Sequence, residues 1–204
     1  MSIFRLSKVA DITFDRTFQK YWLARFSSSL CRGTLSVCVS WQIYDISRNP
    51  LHLGLVGLTQ FIPLILLVVV TGYCADNFNR KVIFSFCLLL EALLTFLFVI
   101  INVTDNANIL ILFIILLFIG IVRAFFSPAA AAFLPNIVSK KDLPDAVALS
   151  AVAWQSGTIF GPVFGGLLYG VSVFAGYLFT SIGLLIGSIL VFSIPYIYKP
   201  KLKK

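Results

Sequence analysis

Charge is scarce in this chain: only 12% of its 204 residues are Asp, Glu, Lys or Arg, where soluble domains carry roughly a quarter. So few charges cannot cover a water-facing surface, and a soluble globular fold is excluded. No polar stretch is long enough to form an enzyme domain attached to a membrane anchor. Histidine is limited to His52, in a polar hinge, which excludes multi-histidine zinc sites and any catalytic dyad that needs a membrane-buried imidazole. Cys31, Cys38, Cys74 and Cys87 show no CxxC spacing and lie in or beside apolar runs. They read as small buried hydrophobes, not as a disulfide or metal framework. No GxxxxGKS or GxxxxGKT string occurs, so the chain lacks a phosphate-cradling loop of this type. Neither an enzyme nor a metal or cofactor site is expected.

What is abundant is apolar: 59% of the residues, with a mean hydropathy of +0.99. At about 20 residues per bilayer crossing, this suffices for about six helices. The formal net charge of +8 is no nucleic-acid footprint, because the basic residues fall in the gaps between apolar runs and no basic-aromatic groove accompanies them. Residues 1–20 are charged and carry no cleavage signature, so they read as a retained cytoplasmic segment.

Charge punctuation divides the rest. Span one covers residues 21–44 and is the most polar, with Arg25, Arg32 and a Ser/Thr-rich face. A turn-like gap at 45–50 leads to span two, uncharged between Arg48 and Asp76. Span three covers 82–103, broken by Glu91. After the gap at 104–106, span four covers 109–131 and contains Arg123. Residues 146–198 are 53 residues without a charge. As one helix they would reach ~80 Å against a hydrocarbon core of ~30 Å, so they must fold back, around residues 170–176. Lipid leaves no partner for an unpaired backbone, so every span should be helical.

Orientation follows from Lys and Arg placement. With the N-terminus in the cytoplasm, Arg5, Lys8, Arg16, Lys20, Arg80, Lys81, Lys140, Lys141, Lys199, Lys201, Lys203 and Lys204 are all inside and only Arg48 is outside. The expectation is an all-α membrane protein: a six-transmembrane-helix bundle over 21–198, a basic cytoplasmic tail at 199–204, and both termini cytoplasmic.

Two motifs carry chemistry. The loop at 72–81 reads GYCADNFNRK. Gly72 would let another helix approach closely, Asp76 would pair with arginine or accept from a helix N-terminus, and Arg80 and Lys81 would hold the loop at the cytoplasmic face. By composition alone this is also an ordinary stop-transfer turn. The second motif is Gly157, Gly161, Pro162, Gly165 and Gly166. Glycines at four-residue spacing make a smooth packing face, and a proline inside a helix removes a donor and can bend it.

The GxxxDxxxRK loop between spans two and three resembles the signature loop of the major facilitator superfamily. Asn77 stands where a basic residue is usual and Asn79 where a glycine is usual. Asparagine tolerates the left-handed backbone better than other non-glycine residues. The GPxxGG stretch at 161–166 resembles that of the superfamily's proton-coupled antiporters, with Ala148 at an earlier glycine position. WQIYDISRNPLHLGLVGLTQFIP (41–63), RAFFSPAAAAFLPNIV (123–138) and DLPDAVALSA (142–151) are similar to enterobactin/macrolide-type exporters, with Ala130 and Ala131 where an arginine–glutamine pair often stands. The resemblance implies the amino-terminal six-helix half of a proton-coupled secondary exporter in the cell inner membrane. It implies drugs or siderophores as amphipathic small-molecule substrates, and a second six-helix half, or a second copy, as partner across the lipid bilayer. The rival is a non-transporting six-helix protein, an assembly partner or the remnant of a disrupted transporter gene.

Ionisable groups inside spans are costly and mark function or pairing. Arg25 sits near a span end and can snorkel. Arg32, midway along span one, is a cavity-lining candidate, a structural arginine on backbone carbonyls, or a drifted position. Glu91 is the candidate proton carrier, or a structural acid if an arginine pairs with it. Arg123 would steady the Asp76 loop or face the cavity. Asp45 would cap the turn, pairing with Arg48 at i+3, or gate the outer end. The face toward a second half is expected to include Gly157, Gly161 and Gly165 with Arg32 and Glu91.

Overall fold

A backbone withdrawn from water pairs its own N–H and C=O groups, and the apolar runs accordingly form helices. The computed structural model describes residues 15–104 and 107–196. Among these residues there are seven helices and no strand: α1 (Arg16–Ser47), α2 (Leu51–Leu66), α3 (Val68–Asn77), α4 (Arg80–Val103), α5 (Ile109–Ile137), α6 (Leu143–Val171) and α7 (Val173–Phe192). The last four are long and apolar enough to cross a membrane, and α2 with α3, bent by 57° at their junction, passes the same test as a pair. α1 has the length, at 32 residues, but is too polar to qualify by composition. Of the expected cytoplasmic segment 1–20, residues 1–14 lie outside the described residues and the remainder caps and opens α1. The expected tail at 199–204 and Asp105 and Asn106 of the third gap also lie outside them.

Short side chains set the helix ends. Asp15 accepts from the N–H of Thr17 at 2.9 Å, Asn108 from Leu110 at 2.9 Å and Ser172 from Ala175 at 3.0 Å, each supplying one of the first-turn donors with a partner. Ser172 is also where the long uncharged block folds back, inside the expected interval. Asn79 caps α4 by accepting from Lys81 at 3.1 Å, with φ of −67°. The loop therefore uses asparagine as an N-cap and not for left-handed geometry. Among the described residues the left-handed one is Arg48, φ 52°, at the end of α1.

α1 runs through the middle of the bundle, with α6 and α7 its most extensive neighbours and α2 and α5 also in contact. Its polar face is satisfied inside. Ser29 Oγ donates to the carbonyl of Trp154 at 2.7 Å, Thr34 Oγ1 to Gly161 at 3.1 Å, Trp22 Nε1 to Leu149 at 2.9 Å, and Ser27 Oγ to Gly183 at 2.8 Å. These bonds require close backbones, which the glycines permit. A Cβ on Gly157 would lie 2.7 Å from the Leu30 nitrogen, one on Gly161 2.7 Å from the Leu30 oxygen, and one on Gly165 2.9 Å from the Thr34 oxygen. One glycine expectation needs correction. The Gly157–Gly161–Gly165 ridge does not face a second half, because α1 covers it. Gly166 lies one helical step round from that ridge and has open space beside it, and Gly72 likewise meets nothing within 4 Å. α6 continues through Pro162 without a break.

Two apolar clusters fill the interior. One gathers Phe18, Tyr21, Phe84, Phe126 and Phe133; the other gathers Leu35, Ile43, Phe98, Leu112 and Tyr177. In α1, α4 and α5 the boundary between them falls at mid-helix. The bend after α2 lets both halves of the α2–α3 pair rest on α5, with Gly120 admitting Gln60 and Pro63. Outward faces are apolar too (Val69 is 80% exposed and Val171 81%), as lipid contact requires.

The glycine ridge yields a paired expectation. Gly161→Leu should lower stability by about 1–3 kcal/mol through overpacking against α1, whereas Gly166→Ala should leave it within about 0.5 kcal/mol. Unfolding of the purified chain in mixed micelles by increasing denaturing detergent measures both; equal effects would show that α1 and α6 are not in close contact.

Candidate functional site

Arg32, Glu91 and Arg123 each sit at the midpoint of their helix, α1, α4 and α5. Midpoints of neighbouring helices of similar reach come to one level whichever way each chain runs. Side chains far apart in sequence thus meet between the two apolar clusters.

Glu91 is fully buried. Its Oε2 accepts from Arg32 Nη2 at 2.7 Å, both oxygens are 3.1 Å from Arg32 Nε, and Oε1 accepts from Arg123 Nε at 2.6 Å. Arg123 Nη1 donates to Gln60 Oε1 on α2. The Arg32 guanidinium also lies over the Phe126 ring, 3.6 Å from its centroid, close enough for cation–π attraction. One carboxylate therefore joins three helices directly and a fourth through glutamine. Charge-assisted bonds of this kind are about twice as strong as neutral ones. Desolvating the ions offsets much of that gain, so the cluster serves geometry as much as stability.

Beside this cluster opens a cleft of about 640 Å³, within the range of ligand pockets. α1, α2, α5 and α6 contribute its walls: Arg25, Arg32, Ser36, Gln60, Phe61, Arg123, Phe126, Ser127 and Trp154 among them. Glu91 stays behind the wall. Only 22% of the most apolar window of α6 is buried, against 50% for α4, and α2 has only Val56 and Pro63 buried, so two of the four helices that wall the cleft are thinly covered.

The other expected residues lie elsewhere. At the loop, Asp76 is 3.7 Å from Arg80, with its own side chain 70% exposed. Arg80 donates to the carbonyls of Ala75 at 3.0 Å and Ala132 at 3.1 Å, tying α3 to α5, and Lys81 stands over Phe192 at 5.3 Å. Arg123 faces the cleft and does not reach this loop. At the far end, Asp45 is 3.9 Å from Arg48 and accepts from the Tyr169 hydroxyl at 2.6 Å, linking α1 to α6. Gln60, Phe126, Ser127 and Trp154 escaped the sequence reading as wall residues. The first three lie in exporter-like stretches, but polarity alone does not separate a wall residue from a packed one. Among the described residues no His, Cys, Asp and Glu group could hold a metal ion; Cys31, Cys38 and Cys87 are buried free thiols.

Comparison with known proteins gives a family and several partial relatives. The family model described as transmembrane secretion effector matches residues 8–194. An uncharacterized MFS-type transporter of Bacillus subtilis, YkuC, is 26% identical over 160 residues, 78% of this chain and 37% of that protein. Multidrug resistance protein 1 of Bacillus subtilis is 31% identical over 121 residues, 59% of this chain and 30% of the relative. The enterobactin exporter EntS of Shigella boydii is 27% identical over 165 residues, 74% and 36% respectively. The chain spans about a third of the length of these relatives.

Removing Glu91 leaves two partly buried guanidiniums facing each other without a counter-ion. Glu91→Gln is therefore expected to destabilise the bundle by about 3–5 kcal/mol, while the combined Arg32→Met, Glu91→Leu and Arg123→Met replacement restores most of the loss. Denaturing-detergent titration measures both. A single variant as stable as the parent would show that the carboxylate does not hold these helices.

Proposed function

Since the chain belongs to the transmembrane secretion effector family of major facilitator proteins, we propose that it is the amino-terminal six-helix half of a proton-coupled secondary exporter of small amphipathic molecules, seated in the inner membrane. The observation that carries this reading is the cleft, with Arg32 and Arg123 at mid-helix depth in its wall. In such transporters the substrate site lies near the midplane between two bundles, which rock to expose it alternately. A second six-helix half, or a parallel second copy, would complete the site.

Six crossings follow if α1 and the bent α2–α3 pair each count as one. α1 is polar by composition, but its hydroxyls bond to carbonyls of α6 and α7 inside the bundle, which removes the cost of placing them in lipid. The basic residues support cytoplasmic termini. Lys20 Nζ donates to the carbonyl of Ser193 at 3.1 Å and Arg80 reaches Ala132, so the starts of α1 and α4 and the ends of α5 and α7 share one end of the bundle. Positive charge collects on the cytoplasmic side.

Glu91 enters as the proton-carrying candidate. It could accept a proton only in a conformation in which Arg32 and Arg123 let go, so proton uptake would report a rearrangement of three helices. The second reading is a six-helix protein that assembles without transporting, in which the Arg32–Glu91–Arg123 cluster serves only to set helix height.

Both readings meet the same tests. Reporter fusions after Lys141 and Lys204 should signal cytoplasm, and one near Asn106 the outside; an outside signal at Lys204 would remove the even number of crossings. Cells expressing the chain together with a matching second half should expel a fluorescent amphiphile, and neither half alone should. Flux normalised to membrane-inserted chain should lose its pH dependence in Glu91→Gln. Saturable, proton-driven flux in liposomes holding only one copy of this chain per vesicle would overturn the half-transporter reading.

A further inference from the structure

Resting on the exporter reading, we infer that the cleft selects an anionic amphiphile: a flat apolar body carrying a carboxylate, sulfonate or similar acidic group. The charges on its wall are three guanidiniums, Arg25, Arg32 and Arg123, and no acidic side chain stands among the lining residues. Glu91, buried behind the wall, offsets one of the three, leaving two positive charges toward the cleft. The donors are not all used by the protein. Arg123 spends Nε on Glu91 and Nη1 on Gln60. Its Nη2 and the Nε of Arg25 have no partner among the described residues but are buried away from the cleft surface. The group left to meet a ligand is therefore the outer end of Arg25, which lines the cleft outside any ion pair.

A planar guanidinium outside any ion pair suits a two-oxygen acid, which accepts in parallel from one such fork. Phe61 and Trp154 line the same space and offer apolar faces to the rest of such a molecule. A cationic amphiphile meets the opposite condition. It must approach three like charges with no carboxylate on the wall to receive it, and like-charge juxtaposition is an effective way to reject a ligand. The wall therefore sorts by sign of charge, while its apolar part tolerates a range of bodies.

Three pyrene probes with the same apolar body test this: pyrenebutyrate, pyrenebutanol and pyrenebutylamine. The full chain is placed in nanodiscs of zwitterionic lipid, alone and with a second half, and energy transfer from tryptophan to pyrene is titrated. Excess unlabelled naphthoate defines the saturable part. Pyrenebutyrate should bind at least about tenfold more tightly than pyrenebutylamine, the scale of one charge-assisted hydrogen bond. Arg25→Gln, which breaks no ion pair, should reduce that preference by about tenfold. Gly57→Trp, at a wall position with open space beside its Cα, should fill the cleft and remove saturable binding of every probe. Equal or tighter binding of the amine, or an anion preference untouched by both Arg25→Gln and Gly57→Trp, would overturn the assignment. The two readings separate cleanly. Export of a cation by the paired halves would leave the exporter standing and remove the anion assignment. Selective saturable binding of pyrenebutyrate by a chain that moves nothing with any second half would do the reverse.

Discussion

A carboxylate in the interior of a helical bundle must be neutralised where it stands, and Glu91 is neutralised by two arginines from two other helices. That requirement fixes more than a pair of contacts. Each ion is at its helix midpoint, so pairing them sets the relative height of α1, α4 and α5; Gln60 extends the constraint to α2. Above and below this level the chain packs ordinary apolar side chains, which fit in many registers. The ions allow one. A buried charge cluster contributes little net stability once desolvation is counted, but it penalises every sliding motion that would separate the partners.

The second constraint is backbone approach. Lipid tails are as apolar as leucine side chains, so helices in a membrane gain little by hiding hydrophobes from each other and associate through close packing and interhelical hydrogen bonds. α1 and α6 do both at once. Glycines on α6 bring the backbones close, and serine and threonine hydroxyls of α1 then reach α6 carbonyls. The polarity that makes α1 a poor membrane helix by composition is thereby what fastens it into the bundle.

These two constraints leave one side less finished than the others. α4 is half covered, whereas α6 turns most of its surface outward. The arginines that hold Glu91 also form part of an open wall there, so the groups that set helix height are the groups a ligand would meet. A ligand bound there would act on the same side chains that set the helix heights.

Much of this was legible in the sequence, and the reasons are specific. The scarcity of charge forced a membrane fold, residues 146–198 had to turn back because one helix of that length cannot fit a bilayer, and the turn appears at Ser172. Arg32, Glu91 and Arg123 stood out because an ion within an apolar run needs an explanation wherever it points. What one-dimensional reading could not supply was partner and direction. The glycine spacing identified a close-packing ridge but not which helix lies on it, and α1 occupies the place assigned to a second half. Gly72 and Gly166 look the same in sequence as Gly161, yet open space lies beside both. A run of residues determines that a helix forms and which face is smooth or charged; only the assembled bundle decides what that face meets, because the partners arrive from segments 32 to 173 residues away.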